Sequence, residues 1–190
     1  MADGGAVMAQ RGEALDWQHA LLERARAGDT RAFERLYRET SARVHALCLR
    51  MLRDAALAED CVQEAYVRAW QALPRFEARS AFATWLHRIA VNVVLERRRR
   101  PVAPLDFVDE LPEDGPDAAQ LDTPVEEAEI EAAVASLPEG ARDVLVLCAI
   151  HGHTHGEAAQ MLGIAEGTCK AQLHRARQLL RERLEKGLAS

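Results

Sequence analysis

A long acidic stretch that contains several prolines divides this chain into two parts. Residues 101–131 hold eleven Asp or Glu and no Lys or Arg, and five prolines lie from Pro101 to Pro124. Proline fixes its own backbone, lacks an amide hydrogen and disfavours helix in the residue before it, so no regular helix is expected there. We therefore predict an extended acidic linker at residues 101–124, with a separate folded domain on each side.

Apolar residues on both sides of the linker recur at spacings of three and four, which is the period of an amphipathic helix. In the first part Leu36, Val44 and Leu47 follow this period, and no segment shows the alternation of a β-strand. We predict an all-α fold with two small helical domains. The expected order is a disordered N-terminus, a first domain, the linker and a second domain, at residues 1–12, 13–100, 101–124 and 125–190.

The charge of the chain is distributed unevenly. A net charge of −6 would by itself argue against a nucleic-acid partner. Residues 1–100, however, carry 17 Arg against 13 acidic residues, and residues 132–190 carry seven basic against six acidic residues. Because the acidic stretch alone makes the total negative, electrostatic attraction to nucleic-acid phosphates remains open to both domains.

The cysteines and the N-terminus indicate where such a protein would work. Four cysteines lie inside helical patterns, with no CxxC pair, at Cys48, Cys61, Cys148 and Cys169. This usage is typical of buried, reduced thiols in a cytoplasmic protein. Residues 1–12 lack the apolar run of a secretory signal, and no segment reaches the roughly 20 apolar residues of a membrane span. We expect a soluble cytoplasmic protein that starts at Met1 or Met8.

The C-terminal part carries the signals of a helix-turn-helix DNA-binding unit. Thr154 and Glu157 have the spacing of a capping box, which opens a short helix. Gly163 suits the left-handed residue that ends this helix, and a second helix follows from Gly167. The core face expected for the second helix consists of Cys169, Leu173, Ala176 and Leu180.

The opposite face of that second helix is basic. A recognition helix presents its N-terminal turns to base edges in the major groove, whereas other basic residues meet phosphates. The residues expected to contact DNA are Thr168, Lys170, Ala171, His174, Arg175, Arg177 and Arg142. Of these, Arg142 and Arg177 suit phosphate contacts. The alternative interpretation is a solvated basic face on a plain helix bundle.

Both parts resemble the sigma-70 family, specifically the compact extracytoplasmic-function (group IV) sigma factors. In the first part the resemblance rests on residues 58–70, on Phe76 and on residues 84–92 with the arginines after them. In the second part it rests on Leu137-Pro138, residues 141–147, Gly167-Thr168 and residues 174–177. It implies an all-α sigma factor that binds core RNA polymerase, directs it to −35/−10 promoters and helps to open the DNA. Residues 13–100 would be region 2 and residues 125–190 would be region 4.

The resemblance assigns the helix expected at residues 57–73 to the polymerase. Its polar face would lie against the coiled coil of the β′ clamp, and the residues concerned are Asp60, Gln63, Glu64, Arg68 and Trp70. A row of charged groups beside an aromatic residue also suits a protein interface without the resemblance. The alternative is a solvated helix face.

The resemblance assigns the loop at residues 74–80 and the helix at residues 81–99 to the −10 element. Capture of unpaired bases needs stacking groups and phosphate contacts. The residues expected to provide them are Arg75, Phe76, Arg79, His87, Arg88, Asn92, Arg97 and Arg98. Phe82, Trp85 and Ile89 are expected in the core.

The family's other partners follow from the same resemblance. Region 4 would read the −35 element and touch the β-subunit flap, and an anti-sigma factor would hold the protein inactive. The linker would thread the polymerase active-centre cleft and RNA exit channel. The alternative is that its acidity only keeps it extended and soluble. No cofactor is implied. No nucleophile–base pair or phosphate-binding glycine loop is visible, so we expect no enzymatic activity.

Some positions are less regular. The family often has an Ile-Ala pair where this chain has Ala158-Ala159, and it usually has valine at the position of Cys169. The tract of His151, His153 and His155 has the composition of a metal site, but alternate spacing on a turn is poor for a closed site. We predict no metal and a solvated or DNA-proximal turn.

Two other classes of function remain open at this point. One is an operator-binding helix-turn-helix regulator that acts without core polymerase. The other is an interaction protein, such as an anti-sigma partner or a sigma mimic, whose helices make protein contacts only. Only the sigma interpretation needs both the Trp85–Asn92 segment and the Gly167–Arg177 segment to act on one promoter.

Overall fold

The computed structural model describes residues 19–99 and 125–187, and the regular elements within these ranges are helical. The α-helices are α1 (residues 19–26), α2 (Thr30–Leu52), α3 (Ala55–Ala72), α4 (Phe82–Arg99), α5 (Val125–Ala135), α6 (Glu139–Leu145), α7 (His155–Leu162) and α8 (Glu166–Gly187). A 3₁₀ turn at Leu73–Arg75 follows α3, and a π-helical turn at Val146–Ile150 follows α6. The all-α prediction is confirmed. The segments at residues 1–12 and 101–124, predicted as a disordered N-terminus and a linker, lie outside the described residues.

The described residues divide into two compact units. The first contains residues 19–49 and 54–93, and the second contains residues 50–53, 94–99 and 125–187. The C-terminal ends of α2 and α4 therefore group with the C-terminal helices, although the sequence placed them with the first domain.

The core of the first unit includes an alanine-rich face of α3. Ala58, Ala65 and Ala69 of α3 are fully buried, and such small side chains let helix backbones approach closely. The large side chains that complete this core are Leu36, Val44, Leu47, Leu73, Leu86, Val91 and Val93. Asp54 caps the start of α3, because its carboxylate accepts a hydrogen bond of 2.9 Å from the Leu57 amide.

The turn between α1 and α2 has a local explanation. Gly28 has a φ of +92°, a left-handed conformation that residues with a Cβ rarely adopt. Asp29 then caps α2, because its carboxylate accepts from the amides of Arg31 at 3.0 Å and Ala32 at 3.2 Å. The Arg24 guanidinium, 2.7 Å from this carboxylate, and the two amides lower the pKa of Asp29.

The second unit contains the expected helix-turn-helix. The Glu157 amide donates to Thr154 Oγ1 at 3.2 Å, and the Thr154 amide donates to Glu157 Oε2 at 2.9 Å, so the capping box is present at the start of α7. Gly163 ends α7 with a φ of +67°, as its sequence position indicated. The buried side chains beneath these helices include Val144, Leu147, Met161, Leu173 and Ala176.

The capping box gives a stability prediction. Thr154→Ala removes one acceptor for the amides at the start of α7 and is expected to lower the free energy of unfolding by about 1 kcal/mol. Urea unfolding followed by circular dichroism measures this. Thr168→Ala, the same chemical change at an exposed position of α8, should change stability by less than about 0.5 kcal/mol. Equal effects of the two variants would contradict a specific role for the cap.

Candidate nucleic-acid and protein interfaces

Helix α8 has a buried apolar face and an exposed basic face. Cys169, Leu173 and Ala176 are buried, which confirms the expected inward face, whereas Leu180 is only half-buried. The residues predicted to read or contact DNA on this helix are all exposed: Thr168, Lys170, Ala171, His174, Arg175 and Arg177. Because the helical period places Lys170, His174 and Arg177 on one stripe, this face offers several cations and donors to a single groove.

One ion pair modifies this face. Lys170 Nζ lies 2.6 Å from Glu166 Oε1, one helical turn earlier, and both side chains are more than half exposed. The hydrogen bond from Lys170 lowers the pKa of Glu166, with the charge of Lys170 acting in the same direction. An exposed i,i+4 pair of this kind contributes only a few tenths of a kcal/mol, so Lys170 is easily released to a phosphate or base.

Arg142 lies in a different environment from the one its sequence position suggested. It was expected to contact DNA, but its residue is 6% exposed. Its guanidinium donates to the carbonyl oxygens of Leu137 and Met51, each at 3.2 Å. Burial lowers the pKa of Arg142, which is the cost of holding this charge away from water. Arg142 is therefore a structural residue that satisfies carbonyl groups of the second unit.

The environment of Arg98 also differs from the one predicted. We predicted that it contacts DNA, but its side chain is 15% exposed and forms a forked ion pair with Asp143. Arg98 Nη1 lies 2.6 Å from Asp143 Oδ2, and Nη2 lies 3.1 Å from Oδ1 and also donates to the Met51 carbonyl. Asp143 itself is 4% exposed, and this burial raises its pKa while Arg98 opposes the rise. The hydrogen bonds of Arg98 therefore lie within the second unit, and its side chain is not placed for the predicted DNA contact.

The loop before α4 and the start of α4 form an aromatic cluster rather than an open base-binding surface. The Phe76 ring was expected to capture a base, but Phe76 is 5% exposed and its ring centroid lies 4.8 Å from that of Trp85 and 6.2 Å from that of Phe82. Trp85 and Ile89, expected in the core, are half-buried. The partly exposed aromatic residue of this cluster is therefore Trp85 and not Phe76. The helical period of the sequence predicted the opposite.

The polar residues near this cluster fall into two groups. Arg75, Arg79, Arg88 and Asn92 are exposed, as residues for DNA contact must be. His87, predicted on the outward face, is instead 6% exposed. Arg97 is half-buried, and Arg79 forms an exposed ion pair of 2.6 Å with Glu77. The exposed cations in this part of the chain thus lie on the loop and on one face of α4.

Helix α3 carries the charged face predicted for a protein partner. Asp60 and Gln63 are exposed, and Glu64 and Arg68 are half-buried and joined by an i,i+4 ion pair of 2.5 Å. Val67, four residues after Gln63, lies on the same face and is 56% exposed. Val67 was not among the predicted interface residues, although a valine between charged residues at helical spacing was a signal for an interface position.

An apolar groove borders this face. Trp70, predicted at the partner interface, is half-buried because it packs on Phe33, with ring centroids 4.9 Å apart. The groove has a volume of about 350 Å³ and is lined by Thr30, Phe33, Tyr66, Val67 and Trp70. Tyr66 Oη is fixed from below by Thr40 Oγ1 at 2.7 Å. The combination of an apolar groove and flanking charges is typical of a protein-binding surface.

The histidine tract does not form one cluster. His153, predicted on a solvated or DNA-proximal turn, is 8% exposed, and its amide donates to the Leu147 carbonyl at 3.0 Å. His151 and His155 are half-buried. Within the part of the chain that the structure describes, no group of three or more His, Cys, Asp or Glu side chains is arranged to hold a metal ion.

The four cysteines are free thiols. Cys48, Cys61 and Cys169 are buried, and Cys148 is half-buried. Cys148 Sγ lies 4.0 Å from Cys169 Sγ. Burial and the neighbouring Cys169 raise the pKa of Cys148 to about 11, although Arg177 opposes this rise. Among the described helices, none has the length and apolar character needed to cross a lipid bilayer.

Comparison with known proteins identifies the two parts. The family model for sigma-70 region 2 matches residues 36–101, and that for sigma-70 region 4 matches residues 127–180. The RNA polymerase sigma-H factor of Pseudomonas aeruginosa is 32% identical over 180 residues, which cover 87% of this chain and 92% of that protein. The ECF RNA polymerase sigma factor SigM of Mycobacterium tuberculosis is 35% identical over 158 residues, which cover 81% of this chain and 78% of that protein.

A solved structure agrees with this assignment. The sigma factor RpoE in complex with the anti-sigma factor NepR from Bartonella quintana matches with a TM-score of 0.61 and 26% identity, over 80% of this chain and 96% of that chain. Helix order, the two matched regions and the relatives all agree. The chain therefore belongs to the extracytoplasmic-function group of the sigma-70 family of RNA polymerase sigma factors.

Proposed function

We propose that this sigma factor binds core RNA polymerase, directs it to promoters with −35 and −10 elements and helps to open the DNA. The observation that carries the proposal is the exposed basic face of α8 on a capped helix-turn-helix, in a chain of the sigma-70 family. The protein acts as an initiation factor in the cytoplasm, and the chemistry of RNA synthesis belongs to the polymerase.

The second unit is proposed to read the −35 element as duplex DNA. Lys170, Ala171, His174 and Arg175 lie in the first turns of α8, where a recognition helix meets base edges. Arg177 is exposed beside them and suits a phosphate. Arg142 is buried and bonds to the Leu137 carbonyl, so it is not among the proposed DNA contacts.

The first unit is proposed to hold opened −10 DNA. Arg75, Arg79, Arg88 and Asn92 are exposed and supply phosphate and base contacts. The half-buried Trp85 is the aromatic group from which a base would gain stacking, whereas Phe76 supports that ring from below. The sequence-based expectation was different, because it gave the stacking role to Phe76.

The face of α3 is proposed to bind the β′ clamp of the polymerase. Asp60, Gln63 and Glu64 provide charged and polar contacts, and the exposed Val67 provides apolar contact among them. The neighbouring groove beside Trp70 suits an apolar side chain of a partner helix. An anti-sigma factor is the second partner that we propose, by analogy with the RpoE–NepR complex.

Run-off transcription on a library of promoters tests the proposal. Purified core RNA polymerase alone and core polymerase with this protein are compared, and promoter-specific transcripts are expected only with the protein. An operator-binding regulator would instead bind free DNA stably and add no promoter specificity to the core enzyme. Absence of promoter-specific initiation would exclude the proposed function.

Charge reversal on α3 separates polymerase binding from DNA reading. The double change Asp60→Lys with Glu64→Lys is expected to weaken core polymerase binding by about tenfold or more, because both charges meet a complementary surface. Fluorescence titration of labelled protein with core enzyme measures this affinity. Glu39→Lys, at an exposed position of α2, is the control and should bind normally.

The same double variant should leave binding of an isolated −35 duplex unchanged, because the exposed basic face of α8 is untouched. Equal loss of polymerase and duplex binding would indicate a folding defect and would argue against the interface assignment.

A further inference from the structure

Two thiols meet beneath the DNA-reading face of the second unit. Cys148 lies on the π-helical turn Val146–Ile150, and Cys169 lies in the first turn of α8, with their sulfur atoms 4.0 Å apart. A disulfide bond is about 2.05 Å long, so the two sulfurs need to approach by only about 2 Å. The turn that carries Cys148 is a single π-helical turn, in which the His151 amide bonds to the Val146 carbonyl at 3.0 Å. Such turns are local interruptions of a helix and often mark functional positions.

The two thiols differ in their access to solvent. Cys148 is half-buried, whereas Cys169 has no exposed surface. A small oxidant therefore reaches Cys148 first, and Cys169 is the nearby thiol that completes a bond. Cys48 and Cys61 are also fully buried, and burial raises the pKa of Cys48 to about 12. They form an internal reference for thiols that an oxidant does not reach.

We propose that Cys148 and Cys169 form a reversible disulfide when the protein meets a hydroperoxide, and that this bond switches off DNA reading by α8. In the first step the Cys148 thiolate attacks one peroxide oxygen, which forms an S–OH group and releases an alcohol, or water from hydrogen peroxide. In the second step the Cys169 sulfur attacks the Cys148 sulfur and water leaves. Two thiols are oxidised and one hydroperoxide is reduced, and an external dithiol reverses the bond.

The position of Cys169 connects this chemistry to DNA reading. Its neighbours Thr168 and Lys170 are exposed on the basic face, together with Ala171. A bond to Cys148 pulls the first turn of α8 towards the π-helical turn, while hydrogen bonds to base edges tolerate only a few tenths of an ångström. This part of the inference rests on the proposed function, because it assumes that α8 reads promoter DNA.

The raised pKa of Cys148 sets the time scale. At neutral pH only a small fraction of this thiol is ionised, and the thiolate is the reactive form. The bond is therefore expected to form more slowly than it would from a thiol of ordinary pKa. Once Cys148 is oxidised, the short distance to Cys169 favours the intramolecular bond over further oxidation.

Peptide mass analysis tests the bond. The full-length protein is held with hydrogen peroxide, freed of oxidant, denatured, alkylated and digested with trypsin. Cleavage after Arg142 and Lys170 releases one peptide, residues 143–170, which contains both cysteines and no internal Lys or Arg. We expect this peptide unalkylated and two hydrogens lighter than its dithiol form, and dithiothreitol should restore the dithiol. Cys48 and Cys61 should be found alkylated, which shows that the oxidant left them reduced. A peptide that stays in the dithiol form, or that carries only sulfinic or sulfonic acid, would overturn the proposal.

Transcription tests the switch. Holoenzyme is assembled from core polymerase and protein that was first oxidised and then freed of oxidant. Promoter-specific transcription is expected to fall by about tenfold for the wild type and for Cys61→Ala, and to recover with dithiothreitol, since one or two base contacts are displaced. Cys148→Ala should keep its activity after oxidation. If the bond forms without loss of transcription, or if Cys148→Ala loses activity equally, the switch is excluded. Reduced protein that never initiates would instead refute the proposed function, while the peptide result would still stand.

Discussion

Replacing Asp143 by Ala is expected to lower the free energy of unfolding by about 3 kcal/mol, because it removes the buried carboxylate that pairs with the Arg98 guanidinium. Asp143 is 4% exposed and holds both Nη atoms of Arg98, at 2.6 Å and 3.1 Å. The Arg98 side chain is 15% exposed, so water does not readily replace the lost carboxylate. Urea unfolding of the full-length variant, followed by circular dichroism, measures the loss.

The matched control is Glu139→Ala. Glu139 also approaches Arg98 Nη1, at 3.3 Å, but its side chain is 66% exposed. Removing an exposed partner of this kind should cost less than about 1 kcal/mol. If Asp143→Ala and Glu139→Ala destabilise the protein equally, then the burial of the Arg98–Asp143 pair has no special energetic role. Asp143→Asn should fall between the two, because it keeps the shape of the side chain and part of its hydrogen bonding.

The double change Lys170→Glu with Arg175→Glu is expected to reduce −35-dependent transcription by about a hundredfold. Each base contact of a recognition helix contributes roughly 1–3 kcal/mol, and the introduced carboxylates also repel phosphates. Both side chains are exposed on α8, so the fold should tolerate the changes. Transcription from promoters with an intact −35 element is compared with transcription from promoters in which that element is scrambled.

Arg183→Glu provides the control for charge alone. Arg183 is exposed on α8, two turns beyond Arg175, and its replacement by Glu reverses one charge, half of the change in the double variant, at a position outside the first turns of the helix. It should weaken transcription from both promoters modestly and to the same extent, since a phosphate contact carries no sequence information. A loss as large as that of the double variant would contradict the assignment of Lys170 and Arg175 as readers of the −35 element.

The helix-turn-helix shows how far local sequence information extends. The capping box of Thr154 and Glu157, the left-handed Gly163 and the buried face of Cys169 and Leu173 were all predicted and are present. Each of these features depends on residues fewer than five positions apart or on the 3.6-residue period of one helix. Such features can be predicted from sequence because the helical backbone alone fixes the relative positions of the residues involved.

The arginines show where that information ends. Arg98, Arg142 and the exposed Arg175 are all cations at helical positions, and nothing in their own helices shows which of them is buried. Arg142 is buried and Arg98 is half-buried, and their hydrogen bonds go to Asp143 and the Met51 carbonyl, which lie 45 to 91 residues away along the chain. No period within one helix predicts a partner at that separation, so the sequence assigned all three to DNA.

The acidic, proline-containing stretch of sequence, the helical periods and the sigma-70 motifs were sufficient to predict an all-α chain with two helical parts and the function of a promoter-recognition factor. Tertiary packing decided which of the predicted residues face solvent. It enclosed Phe76 and His87, left Trp85 partly open and brought Cys148 to within 4.0 Å of Cys169. The physical reason is that amphipathic pattern is a property of one helix, whereas burial and ion pairing depend on which helices meet and at what register.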